Sequence, residues 1–214
     1  MIGCGYRLGN HRLNDKMIET SRNFSSEENR RLQLESITLA TNTSANRVEL
    51  FLDNMKFARG YTLQLLEDLS EDDWYWTPQS GQSEMVTHIA WQAGHLAMAQ
   101  YGLCLFRQRG RTSEDTELMS SKFRKLFMKG TTPSADRAAY PAPEEILQVL
   151  ERVNAQVIKE VPGFSDESLD EPTDPPTAAY ANRYGCLLMA VNHEMLHAGQ
   201  IGLLRRLMGK DPIR

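Results

Sequence analysis

The stretch Asn192-His193-Glu194-Met195-Leu196-His197-Ala198-Gly199-Gln200 decides how this chain is read. It lies in a strongly apolar run from Tyr184 to Met208. Residues four apart share one face of a helix, so His193 and His197 stand one above the other. Each neutral imidazole offers one lone pair. Two imidazoles among leucines without a partner would be costly, and a shared metal ion or a hydrogen-bond network removes that cost. One buried histidine is ordinarily structural; a pair at this spacing points towards ligands.

Working outward, the chain divides into helical patterns. The late helix spans Ala179 to Met208, with Gly209 at its close. Between Ala45 and Leu69, Val48, Phe51, Leu52, Met55, Ala58, Leu65, Leu66 and Leu69 recur at spacings of three and four. A second helix is expected from Ser83, a fair N-cap, to Arg107, with Gly110 beyond it. A third begins after Pro143, with Glu144 and Glu145 in a first turn where the helix dipole favours them, and ends at Pro162-Gly163. A short helix fits Glu117 to Phe127. The linker from residue 163 to 179 carries Pro172, Pro175 and Pro176. No strand alternation stands out. These features predict an all-α protein, a four-helix bundle over residues 45–210. Bundles of this kind build metal sites in the core from facing helices. Residues 1–44, rich in Asn, Ser, Arg and Glu, read as a flexible N-terminal extension, and Met55 would serve as a natural start.

Composition narrows the function. The net charge of −4 lacks the basic footprint of a nucleic-acid binder. No apolar stretch reaches the roughly 18 residues of a membrane span, and the N-terminus has no apolar leader core. Three scattered cysteines, Cys4, Cys104 and Cys186, argue against a disulfide framework and for a reducing, cytoplasmic setting.

Two ligands do not make a stable site. A catalytic zinc-type centre takes three protein ligands and keeps one position open. The second helix offers His88 and His95, seven residues and about 10 Å apart along the axis, too far to share one ion. His95 is the better third ligand, because Gly94 and Ala97 beside it let a neighbouring helix approach. His88, nearer the helix start, reads as a half-exposed polar or capping residue and a reserve ligand. The expected set is His95, His193 and His197. Three imidazoles suit Zn(II), Ni(II) or Fe(II) without ranking them.

Residues 193–197 also match the His-Glu-x-x-His pattern of zinc peptidases, with Glu194 as general base. The context opposes it. A metzincin continuation needs Gly and His where the chain has Gln200 and Leu203, and residues 198–214 contain no glutamate. Glu194 also fits an outer-face or ligand-supporting role.

A helix with Gly94-His95-Leu96-Ala97, then a late helix with His193, His197, Gly199-Gln200-Ile201 and Leu203-Leu204-Arg205, resembles the DinB/YfiT-like metal-binding proteins. The Trp74 to Pro78 tract before the second helix fits as well. The resemblance covers about residues 46–209, and it departs at Ala198, where an arginine is common. It implies a four-helix bundle, one metal on His95, His193 and His197, and often a homodimer. It also implies, for some members, thiol S-transfer with a low-molecular-weight thiol on a small-molecule substrate. On that reading Gln200 orients a ligand or substrate, and Tyr184 and Arg205 are pocket candidates for the cofactor. The competing functions are a non-catalytic metal- or small-ligand-binding bundle and, third, the peptidase.

Overall fold

A computed structural model of the chain describes residues 47–78, 86–131, 133–134, 136–177 and 180–213. The expected extension over 1–44 and the expected cap at Ser83 lie outside the described residues. Among the described residues four long helices dominate: α1 over 47–66, α3 (Ile89–Tyr101), α6 (Pro143–Glu160) and α8 (Arg183–Leu207). Between them come α2 (Glu71–Tyr75), α4 (Asp115–Leu118), α5 (Ser121–Leu126) and α7 (Asp166–Asp170).

Helix α3 (Ile89–Tyr101) continues through a π-turn, Gly102–Phe106, and a last turn, Arg107–Arg109. Its stop is Gly110, whose φ of 79° lies in the left-handed region that glycine tolerates. Almost every side chain of α3 is buried. Ala90, Ala93, Gly94 and Ala97 let it pack closely against α6 and α8. Helix α6 (Pro143–Glu160) buries one stripe, Ile146, Val149, Leu150, Val153 and Val157. Pro143 at its first turn has no N–H to leave unsatisfied.

Helix α8 (Arg183–Leu207) starts four residues later than the sequence suggests. Before it lie two antiparallel strands, β1 (Pro172–Thr177) and β2 (Tyr180–Asn182). This corrects the expectation of a purely irregular linker. Prolines hold φ near the extended range but cannot donate to a ladder, so a proline-bearing strand shows no alternating pattern to read. Asn182 then caps α8, its side chain accepting from Gly185 N–H at 2.8 Å.

The core runs through Phe51, Leu65, Leu96, Ile146, Leu150, Leu187 and Ile201, each no more than 1 % exposed. Burying side chains of this size stabilises by about 1.5–3 kcal/mol apiece. Phe51, four residues before Met55, belongs to that core. One polar knot joins all four long helices. Arg59 of α1 donates to both oxygens of Glu194 on α8, at 2.8 and 3.0 Å. It also donates to the Leu150 carbonyl of α6 and to Gln100 of α3, each at 3.0 Å, and Gln100 donates to Asn154 of α6.

Candidate metal centre

His95 projects from the middle of α3, and His193 and His197 from successive turns of α8. The helices bring one nitrogen from each ring within 4.8 Å of the others. The ring centroids of His95 lie 5.1 Å from those of both His193 and His197, which are 4.4 Å from each other. His193 Nε2 and His197 Nε2 are 3.2 Å apart. An ion about 2.0–2.1 Å from two nitrogens at a tetrahedral angle would separate them by about 3.3 Å. The spacing of this pair therefore fits a first-row divalent metal, with a His95 nitrogen within 4.8 Å of both.

The supporting contacts set the tautomers. His95 Nδ1 lies 2.7 Å from the Phe127 carbonyl, which can only accept, so Nδ1 carries the proton and Nε2 keeps its lone pair. His197 Nδ1 donates to Gln92 Oε1, while Gln92 Nε2 donates to Thr87 Oγ1. The relay Thr87–Gln92–His197 presents His197 Nε2 in the same way. Metal-binding histidines are oriented by this kind of partner. Trp91 stacks on His95 at 4.6 Å and 10°, and its indole N–H donates to Thr131 Oγ1 at 3.1 Å.

Burial disfavours the imidazolium at all three positions. It pushes His193 down to about 4 and His197 to about 3, with neighbouring rings adding to the shift. His95 is lowered by burial, against its hydrogen bond to the Phe127 carbonyl. Near neutral pH the cluster is an uncharged set of donors.

The other expected residues fall elsewhere. His88 is 2 % exposed, not half-exposed. Its Nδ1 accepts from Trp91 N–H and caps α3, and its ring packs against Tyr75 and Tyr140. Those rings come from α2 and a distant loop, which local spacing cannot reveal. Burial pushes His88 down to about 4. Glu194 is 1 % exposed, which corrects the outer-face reading. Both its oxygens accept from Arg59, so neither is free to serve as the base a peptidase requires. Arg205 is buried, its guanidinium donating to the Leu65 carbonyl and pairing with Asp68, about 12 Å along α8 from His197. Tyr184 lies in the first turn of α8, nine residues before His193, under the Arg47 guanidinium at 4.2 Å. Neither joins the cluster. Gln200 is exposed and lines the same cavity as His197, beside the cluster rather than in it.

Sequence reasoning missed Gln92, Phe127 and Trp91. A glutamine inside an apolar helix was a signal, because a buried amide needs partners. The Phe127 contribution is a backbone carbonyl at the end of α5 and leaves no trace in side-chain chemistry. Gly94 admits the Phe127 ring rather than a helix: a Cβ there would lie 2.5 Å from it.

A bundle of four helices with three histidines facing inward from two of them is the architecture of a metal-binding helical protein. The chain belongs to the DinB superfamily, whose family model matches residues 54–201. The crystal structure of a conserved protein from Enterococcus faecalis is similar in fold, with a TM-score of 0.59 and 17 % identity. The match covers 76 % of this chain and 97 % of that one. Among functionally curated proteins, none is significantly similar in sequence. Among the described residues, no helix is long and apolar enough to cross a membrane.

Proposed function

We propose that this protein is a metal-dependent enzyme, a thiol S-transferase acting on a small molecule, with His95, His193 and His197 holding one Zn(II), Ni(II) or Fe(II). The observation that carries the reading is three neutral imidazoles converging from two helices, two of them locked by Phe127 and Gln92 so that Nε2 points inward. A bound divalent ion supplies an open position that lowers the pKa of a thiol placed in it, making a nucleophile near neutral pH. The chain does the rest. Phe127 and Gln92 hold the ligand rings, Trp91 covers one face of His95, and Gln200 stands beside His197 to orient the thiol or the electrophile. The free, buried Cys104 and Cys186 suit a reducing cytoplasm, and the superfamily resemblance favours a homodimer.

Turnover of monochlorobimane with bacillithiol, mycothiol, glutathione and cysteine, with and without Zn(II), Ni(II) or Fe(II), tests this directly. A metal-dependent rate with one thiol is expected. Background rates with every thiol and metal would refute it. A second reading, a non-catalytic metal- or small-ligand-binding bundle, is favoured by the engagement of both Glu194 oxygens with Arg59. Metal exchange separates the two: an inert metal that takes up no thiol supports binding alone.

A further inference from the structure

The ligand stripe of α8 does not end at the histidines. His197, Gln200, Leu204 and Leu207 follow at spacings of three and four, so they occupy one strip of the helix. Along this strip runs a cavity of about 390 Å³. His197, Gln92 and Gln200 close the end towards the cluster. Val86, Trp91, Leu203, Leu204 and Leu207 form the remaining wall, with Thr87. Leu203 and Leu207 are 50 % and 54 % exposed, large apolar side chains left to water beside a polar ligand cluster. From His197 to Leu204 the helix rises about 10 Å. Of the three histidines only His197 lines the cavity, so a molecule with its head beside His197 would lay its body along these leucines.

We propose that the cavity is the subsite for an apolar body, so that the substrate class is a compound with a metal-ligating or thiol head and an aryl or medium alkyl group. This rests on the metal-site reading above and narrows it. The cavity is more than twice the size of the roughly 150 Å³ void that accommodates a benzene ring in an apolar core. The walls offer hydrophobic contact rather than charge. The polar lining is Thr87, Gln92 and Gln200 with His197; Gln92 is held between His197 and Thr87, which leaves the exposed Gln200 to meet the head group.

The test uses the full chain loaded with Co(II) and follows the metal's visible spectrum on titration. Two pairs of probes are matched in acidity but differ in apolar bulk: benzyl mercaptan against 2-mercaptoethanol, and benzoate against acetate. The aromatic member of each binding pair is expected to bind at least tenfold more tightly, the gain from one buried ring. Leu203→Asn with Leu207→Asn, at half-exposed positions, should reduce the preference to within about twofold while leaving Co(II) affinity unchanged. Equal binding in the parent, or a preference that survives both substitutions, would overturn the inference. If Co(II) binds and the carboxylates perturb it but no thiol does, the transferase reading fails, and benzoate against acetate still decides the subsite. If neither pair perturbs the metal, or no Co(II) binds, the subsite has no ligand head beside it and is rejected.

Discussion

Replacing Glu194 by alanine will destabilise the bundle severely, and the reason is charge rather than catalysis. Glu194 and Arg59 have side chains only 1 % and 5 % exposed and share two N–H···O bonds of 2.8 and 3.0 Å. Removing the carboxylate leaves a guanidinium in the core with only the Leu150 carbonyl and Gln100 as acceptors. Breaking one side of such a buried pair costs about 3–5 kcal/mol. That is a large share of the roughly 5–15 kcal/mol that holds a domain folded. At about 2–4 °C per kcal/mol for a domain of this size, Tm should fall by about 6–20 °C. Urea unfolding of metal-free protein is the assay, since bound metal would add its own stabilisation. Replacing both residues, Arg59→Met with Glu194→Leu, should cost much less than either single change, because no orphaned charge remains. A loss below about 1 kcal/mol for Glu194→Ala, or a double variant as unstable as the sum of the singles, would refute the buried-pair account. A peptidase glutamate would behave in the opposite way: activity lost, stability kept.

Gly94→Ala pits two effects against each other. Helix propensity gains up to about 1 kcal/mol, but the new Cβ would lie 2.5 Å from the Phe127 ring, and overpacking costs about 1–3 kcal/mol. Net destabilisation is expected by thermal melting, with weaker metal binding because Phe127 also holds His95. His95→Ala and His197→Ala should each abolish one-to-one metal retention in elemental analysis. Gln92→Leu, which removes the partner of His197 Nδ1, should lower affinity about 10–100-fold by competitive chelator titration. For pH, the folded pKa values of His88, His193 and His197 lie at about 4, 4 and 3, below the ordinary value near 6.5. Below pH 6.5 the unfolded chain therefore binds more protons than the folded one. The metal-free bundle should lose stability as pH falls from 6.5 towards 4, by about 1.4 kcal/mol per pH unit for each histidine, and show none of this loss above pH 7. His88→Asn, which retains a capping side chain, should make the slope shallower in urea melts across that window.

Much of this protein is legible without coordinates, and the exceptions share a cause. The apolar spacing from Val48 to Leu66 and from Ile146 to Val157 marks helices, because side-chain periodicity follows local backbone geometry. The strand Pro172–Thr177 escaped because proline strands carry no alternation. His88 caps α3 as its position suggests, but its burial escapes the sequence because Tyr75 and Tyr140, away from it in the chain, supply the cover. Glu194 read as a candidate base because its neighbours in sequence are histidines, whereas its partner in space is Arg59, 135 positions earlier.

Two donors one helical turn apart, His193 and His197, follow from chain order alone, since the 3.6-residue turn places them together wherever the helix goes. His95 is named as third donor from the sequence, but its approach to that pair, the tautomers and the neighbouring cavity are decided only where α3 packs against α8 and the end of α5 closes over Gly94. Contacts of that kind depend on where whole helices lie relative to one another, which the summed burial of the entire core determines and no short stretch encodes.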